Sequence, residues 1–328
     1  MLILPAGDVQ QCLPMNQAIE AMKSAYVALS AGDAQVPVRS TLFIPPHQGI
    51  SLIMPAFVDG QQSQALAVKV VSVFPRNSEQ GLPIIQAAVL VMEPATGRPV
   101  ALLEGSSLTA IRTGAASGAA TDLLARPESN TVAIFGAGVQ GRTQLEAVCT
   151  VRKIKAAWIF DTDPDKATSF AHQLAGRGKI PQDLHVATDP NEAAHAADII
   201  CTATTSKNPV YPPAAIRPGT HINGVGSFTL EMIENPPEIF SRVRLFVDSR
   251  EAVMAEAGEV VAAVKQKTIS PADLIELGEV LAGQATGRES SEQITFFKSV
   301  GVAVQDAAAA QLVLENANRT GIGQKVTW

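Results

Sequence analysis

Little sulfur, few aromatic rings and no excess of basic charge mark this chain of 328 residues. Its 3 cysteines, Cys12, Cys149 and Cys201, are scattered and form no CxxC pair. That argues against a disulfide framework or a zinc site and fits reduced thiols in a cytoplasm. His47, His172, His185 and His195 show no metal-ligand spacing either, so no metal is expected. A formal net charge of −6 argues against a broad phosphate-binding surface, hence against a nucleic-acid partner. No apolar run approaches the length needed to span a bilayer, and the start, MLILPAGDVQQ, lacks the basic segment of a signal peptide. Repeats and low-complexity tracts are missing too. What is present, 46% hydrophobic and 17% charged residues, describes a cytosolic α/β protein long enough for two domains.

Two rhythms divide the chain. A first helix is expected near residues 14–31, where Ile19, Met22, Tyr26 and Leu29 recur at helical spacing and Gly32 supplies a stop. Extended segments follow, STLFIP, ISLIMPAFV, ALAVKVVSVF and IIQAAVLVME, parted by the turn-rich PPHQG, DGQQSQ and PRNSEQGLP. Strands in succession without helices predict an antiparallel or mixed sheet. SSLTAIRTGAASGAATDLLA reads as a helix of small residues. From Asn130 to about residue 250, apolar strands (TVAIF, AAWIF, LHVAT, DIICTAT, HINGVG, VRLFVDS) alternate with helical segments, as in a parallel sheet covered on both faces. The tail from Ser299 reads as a further apolar helix.

The second rhythm opens on a glycine loop. GAGVQG, residues 136–141, follows a strand and opens a helix, and Asp161 stands twenty residues beyond Gly141. The glycines Gly136, Gly138 and Gly141 allow a tight turn and close approach of backbone to a pyrophosphate, which the helix N-terminus then attracts. A carboxylate at Asp161 can accept ribose hydroxyls and repels a 2′-phosphate; Thr162 follows it, with no arginine to hold one. NAD(H) is therefore favoured, while Lys166 and Arg142 keep NADP(H) open.

Charges in apolar places point to a second site. Lys69 interrupts LAVKVVSVF, and an ammonium there needs a partner or a task unless the strand face is exposed. Arg112 is the only charge between Glu104 and Asp122, a planar fork suited to a carboxylate. Arg39 in VPVRST is a third candidate. Convergence of the three would make a cationic pocket for a small carboxylic acid. His221, Cys201 and the pair Glu256 and Glu259 take blander readings: structural histidine, core thiol, capping or interface charges.

Along nearly its whole length the chain resembles the ornithine cyclodeaminase/mu-crystallin family. The landmarks are PVRS, AVKVV, GLPIIQAAVLVMEPATGRPVALLEG, LTAIRTGAASGAA, GAGVQG, HINGVGS, VDSREAVMAEAGE, LGEVLAG and FFKSVGVAVQD. The resemblance implies a Rossmann dinucleotide-binding domain (124–305) inserted into an α+β substrate-binding and dimerisation domain (1–123 with 306–328), a homodimer, and amino- or imino-acid substrates. It gives Lys69, Arg112 and Arg39 the substrate carboxylate and polar groups, with Met54 and Phe228 lining the pocket. Its cofactor contacts are Thr113, Gly136, Ala137, Gly138, Val139, Gln140, Gly141, Asp161, Thr162, Thr202, Ala203, Val225, Gly226, Ser299, Val300, Gly301 and Asp306. One departure matters. Cyclodeaminases and alanine dehydrogenases of the family carry an aspartate two residues after the VG of HxNxVG, and here that place is Phe228; Glu231 lies three residues on. Without that acid, the reading favoured is reduction of a preformed cyclic imine, Δ1-pyrroline-2-carboxylate or Δ1-piperideine-2-carboxylate, to L-proline or L-pipecolate. Ornithine cyclodeaminase, alanine dehydrogenase and a non-catalytic ligand-binding protein are the alternatives.

Overall fold

A computed structural model describes residues 1–60 and 64–327. The chain divides into two compact units: Met1–Arg112 with the segment from Val302 onward, and Thr113–Gly301.

Unit 1 begins with β1 (Leu2–Leu4), α1 (Ala6–Cys12) and α2 (Met15–Ala31). Gly32, at φ 81°, ends α2 and returns its N–H to the Ala28 and Leu29 carbonyls, the stop expected from the sequence. Then come β2 (Ala34–Gln35), β3 (Ser40–Ile44), β4 (Gly49–Asp59), β5 (Gln64–Val73), β6 (Ile85–Met92), β7 (Pro99–Glu104) and α3 (Gly105–Leu124). The middle of the DGQQSQ turn, residues 61–63, lies outside the described residues. The strands β4 to β7 pair antiparallel in succession, while β1 joins β7 in parallel, so the sheet is mixed, as strands in succession predicted.

Thr113 and the rest of α3 go with unit 2, whereas the resemblance implies a boundary between residues 123 and 124. The cause is bonding: Gln144 donates to the Thr113 carbonyl, Arg152 to that of Thr121, and Asn223 to the Thr121 hydroxyl.

Unit 2 contains β8 (Thr131–Phe135), α4 (Val139–Val151), β9 (Ala156–Phe160), α5 (Pro164–Leu174), β10 (Asp183–Val186), α6 (Pro190–Ala196), β11 (Ile199–Thr202) and β12 (His221–Gly224). It continues through β13 (Val243–Val247), α7 (Arg250–Glu256), α8 (Gly258–Lys265), β14 (Ile275–Glu276), α9 (Leu277–Leu281) and β15 (Ile294–Lys298). All eight strands run parallel in the order β10-β9-β8-β11-β12-β15-β13-β14. This is a Rossmann-type sheet. Alternate residues of β8 explain its unbroken apolar run: Val132 and Ile134 join one core cluster, Ala133 and Phe135 another. The strand ITFFK (β15) was not foreseen, and it lies between β12 and β13.

Unit 1 closes with α10 (Ala303–Thr320) and β16 (Gln324–Lys325). The helix α10 packs on β4, β5 and α2. Among the described residues no helix is long and apolar enough to cross a membrane.

Candidate functional site

The cations gather in unit 1. Along β5 the burial alternates, and Lys69 falls on the face of Ala65, Ala67 and Val71, against the helices. Only 2% of it is exposed, so the alternative of an exposed strand face is ruled out. Its Nζ lies 2.6 Å from Asp306 Oδ2, and Arg112 Nε donates to Oδ1 at 3.0 Å. Arg112 Nη1 donates to Gln305 Oε1 at 2.5 Å, and the Gln305 amide nitrogen is bonded to the Tyr26 hydroxyl. Met54, buried on β4, is the cross-strand partner of Lys69. Arg39, half-buried just before β3, stands near enough for its charge to act on Lys69.

The electrostatics follow from this crowding. Burial pushes the Lys69 ammonium down to about 8; Asp306 opposes the shift, while Arg112 and Arg39 add to it. Burial alone would raise the Asp306 carboxyl, but Arg112 and Lys69 outweigh it and hold it below its ordinary value. Two buried cations thus share one carboxylate, and an excess of positive charge is left. Such a cluster can accept a small anion. Arg112 Nη2 makes no hydrogen bond to any described residue and can present a donor to one.

The dinucleotide loop belongs to unit 2. Gly136 has φ 103°, and a Cβ there would stand 2.6 Å from the Ala203 carbonyl oxygen. At Gly141 a Cβ would meet the Gly136 oxygen at 2.0 Å, so the loop folds back on its own helix. The helix α4 starts after Gly138 with no side-chain cap and no acid in its first turn, which leaves its N-terminus to an anion. Val139 is exposed and Gln140 half-buried in that turn, while Ala137 is buried. Asp161 stands just past β9 and accepts the Ala137 N–H at 2.8 Å and the Asp163 N–H at 2.9 Å. Both carboxylate oxygens keep further acceptor capacity for ribose hydroxyls. Thr162 is exposed. Arg142 sits over the Phe170 ring and donates to Gln173, and Lys166 pairs with Asp163, so both are engaged within the domain. These residues fit a dinucleotide.

The other expected contacts are placed along the same sheet edge. Thr202 ends β11 and Ala203 follows it, its N–H donating to the Phe135 carbonyl. Val225 and Gly226 follow β12. Ser299, Val300 and Gly301 follow β15 and all donate to Asp248 Oδ2. Thr113 is buried on α3. Asp306, grouped with the cofactor contacts in the sequence reading, stands in unit 1 on the two cations. Phe228 is 37% exposed in the loop after β12. Glu231 is exposed, with Thr229 bonded to its carboxyl. His221 is buried and bonded to Thr295 and Asn223; burial drives it down to about 3, so it is neutral and structural. Glu259, read as a capping or interface charge, is fully buried in an ion pair with Lys298 at 3.0 Å. A lysine interrupting ITFFKS was the available signal for that pair. For Glu234, fully buried beside it, the sequence offered none.

A parallel sheet with a glycine loop and an acid just past β9, inserted in a chain whose other unit carries buried cations, defines a dinucleotide-binding α/β protein. The chain belongs to the ornithine cyclodeaminase/mu-crystallin family, which it matches over residues 1–321. It is 37% identical over 328 residues to the Δ1-pyrroline-2-carboxylate reductase of Bacillus cereus, with 99% of each chain covered. It is 33% identical over 326 residues to the alanine dehydrogenase of Archaeoglobus fulgidus, covering 99% of this chain and 98% of that one. Among solved structures, Thermococcus litoralis Δ1-pyrroline-2-carboxylate reductase in complex with NADH and L-proline superposes with a TM-score of 0.94. That chain is 42% identical, over 99% of this chain and 100% of its own.

Proposed function

We propose that this protein is an oxidoreductase that uses NADH to reduce a cyclic imino acid, Δ1-pyrroline-2-carboxylate or Δ1-piperideine-2-carboxylate, to L-proline or L-pipecolate. The observation that carries the reading is the buried excess of positive charge on Lys69 and Arg112, which a small carboxylate would balance. The names of its full-length relatives support it, as does the NADH bound in a 42% identical structure. When bound, the cofactor supplies a hydride to the C=N carbon. Asp161, with Lys166 and Arg142 engaged elsewhere, favours NADH over NADPH.

The chain's own residues do the rest. Arg112, oriented by Asp306 and Gln305, offers Nη2 to the substrate carboxylate. Lys69 holds a proton at Nζ and lends its charge to the same anion, with Arg39 adding a third positive group. The imine nitrogen enters protonated, so hydride addition yields the amine without a separate acid, consistent with Phe228 in the place where the resemblance gives cyclodeaminases and alanine dehydrogenases an aspartate. Positioning and charge are the main contributions of the protein.

The test adds Δ1-pyrroline-2-carboxylate and NADH to the purified protein, follows loss of the reduced-nicotinamide absorbance, and assays ammonia from L-ornithine in parallel. Rapid absorbance loss with no ammonia is the expected result. Ammonia and proline from ornithine would replace this reading with a cyclodeaminase.

The reading extends to a homodimer in the cytoplasm. The helices α2 and α10 cover one face of the unit 1 sheet. The opposite face of β4, β5 and β6 is also apolar, with Ile53 and Val70 paired across strands and 42% and 44% exposed. Leu42 and Phe43 on β3 add exposed apolar surface. A second copy of the chain suits such a face. The three buried free thiols suit a reducing compartment.

A further inference from the structure

The acids at the carboxyl edge of the unit 2 sheet exceed what binding a ribose requires. Glu234 is fully buried, yet its carboxylate collects donors from two separate loops. Oε1 accepts the Thr204 N–H, and the Thr204 hydroxyl at 2.8 Å. Oε2 accepts the N–H groups of Gly226 at 2.7 Å and Ser227 at 2.9 Å, and the Thr202 hydroxyl at 3.3 Å. A Cβ at Gly226 would stand 2.5 Å from Oε1, so this loop closes tightly on the acid. Beneath lies a second shell of charge. Glu259 accepts the Glu234 N–H at 2.9 Å and the Asn235 amide at 3.0 Å, and it pairs with Lys298.

The two loops leave the carboxyl ends of β11 and β12, where open α/β sheets bind their ligands. One of them touches the glycine loop directly, through the Ala203 N–H to the Phe135 carbonyl and the close approach of the Ala203 oxygen to Gly136. We propose that Glu234 is a positioning residue for the dinucleotide: it ties the loops after β11 and β12 into the shape that receives the cofactor. This rests on the reading that unit 2 binds a dinucleotide.

The charge state of the tie matters. Burial, then the Glu259 charge, raises the Glu234 carboxyl above its ordinary value, while Lys298 and the Thr204 bonds oppose the rise. The titratable groups facing it are Glu259 on α8, Lys298 on β15 and, beyond Asn235, the Tyr211 hydroxyl, which burial holds protonated. Only the ionised carboxylate is acceptor-only, so protonation turns one oxygen into a donor facing other donors. Cofactor binding by the wild type therefore weakens as pH falls.

The experiment titrates NADH into the full-length wild type, Glu234→Gln and Thr204→Val, following the fluorescence of bound NADH across pH. Glu234→Gln is expected to raise the NADH Kd tenfold or more and to abolish its acid weakening, with the KM for the imino acid at saturating NADH unchanged. Should Glu234→Gln fail to fold, Thr204→Val, which removes the hydroxyl's bonds to Glu234 and to the Ser206 N–H but no charge, is expected to raise Kd about threefold. Wild-type affinity in Glu234→Gln, or in Thr204→Val when it alone folds, overturns the proposal and leaves the cofactor reading intact. A wild type that binds neither NADH nor NADPH overturns both.

Discussion

Lys69 is asked to be charged in a place that opposes charge, and its consequences can be measured. Its ammonium is held down to about 8 by burial against the pull of Asp306, so the protonated form dominates below that pH and is lost as pH rises through it. The kcat/KM for the imino acid should carry a descending limb near pH 8 in the wild type. Lys69→Met should lower kcat/KM by about 10²- to 10³-fold and lack that limb. An unchanged limb in the variant would assign it to another group. Asp306 is the counterpart: Asp306→Asn leaves two buried cations without their carboxylate. The expected cost is about 3 to 5 kcal/mol, seen as an earlier midpoint in urea unfolding. An unshifted midpoint would mean that water or loss of the Lys69 proton relieves the unbalanced charge.

At the scale of elements, the glycine loop is the least forgiving. Gly141→Ala puts a methyl 2.0 Å from the Gly136 oxygen, so β8 and α4 must separate. Overpacking of this kind costs about 1 to 3 kcal/mol. The variant should show lower thermal stability and NADH affinity together; normal NADH binding would show that the turn can relax. Elements with local signals were legible in the sequence: the strands β3 to β6, the first six strands of unit 2, the helix ending at Gly32 and the loop from Gly136. The short strands β1 and β7 and the inserted β15 were not: β1 and β15 pair with strands distant in the chain, and β7, though it forms a hairpin with β6, is a short run after the turn-rich PATGRP. The same division runs through the site. Lys69 and Arg112 stood out as charges among apolar residues. That both converge on Asp306, and that Glu234 gathers two loops, depends on contacts no spacing encodes.

For the whole molecule, the open face of the unit 1 sheet makes the oligomer testable. Val70→Glu places a charge among Ile53 and its neighbours without touching Lys69, which points to the other face. Light scattering should report a dimer for the wild type and a monomer for the variant. A dimer that survives the substitution would move the interface elsewhere.

The insertion also orders events in time. Lys69 and Arg112 precede the second unit in the chain, while Asp306 follows it on α10. During synthesis the dinucleotide domain is complete before the last helix emerges, and domains tend to fold as units as they appear. Until then the two cations have no counter-charge, and the sheet lacks the helix that covers it. The nascent protein thus completes its dinucleotide-binding unit first, and its cationic cluster takes shape only once α10 has emerged.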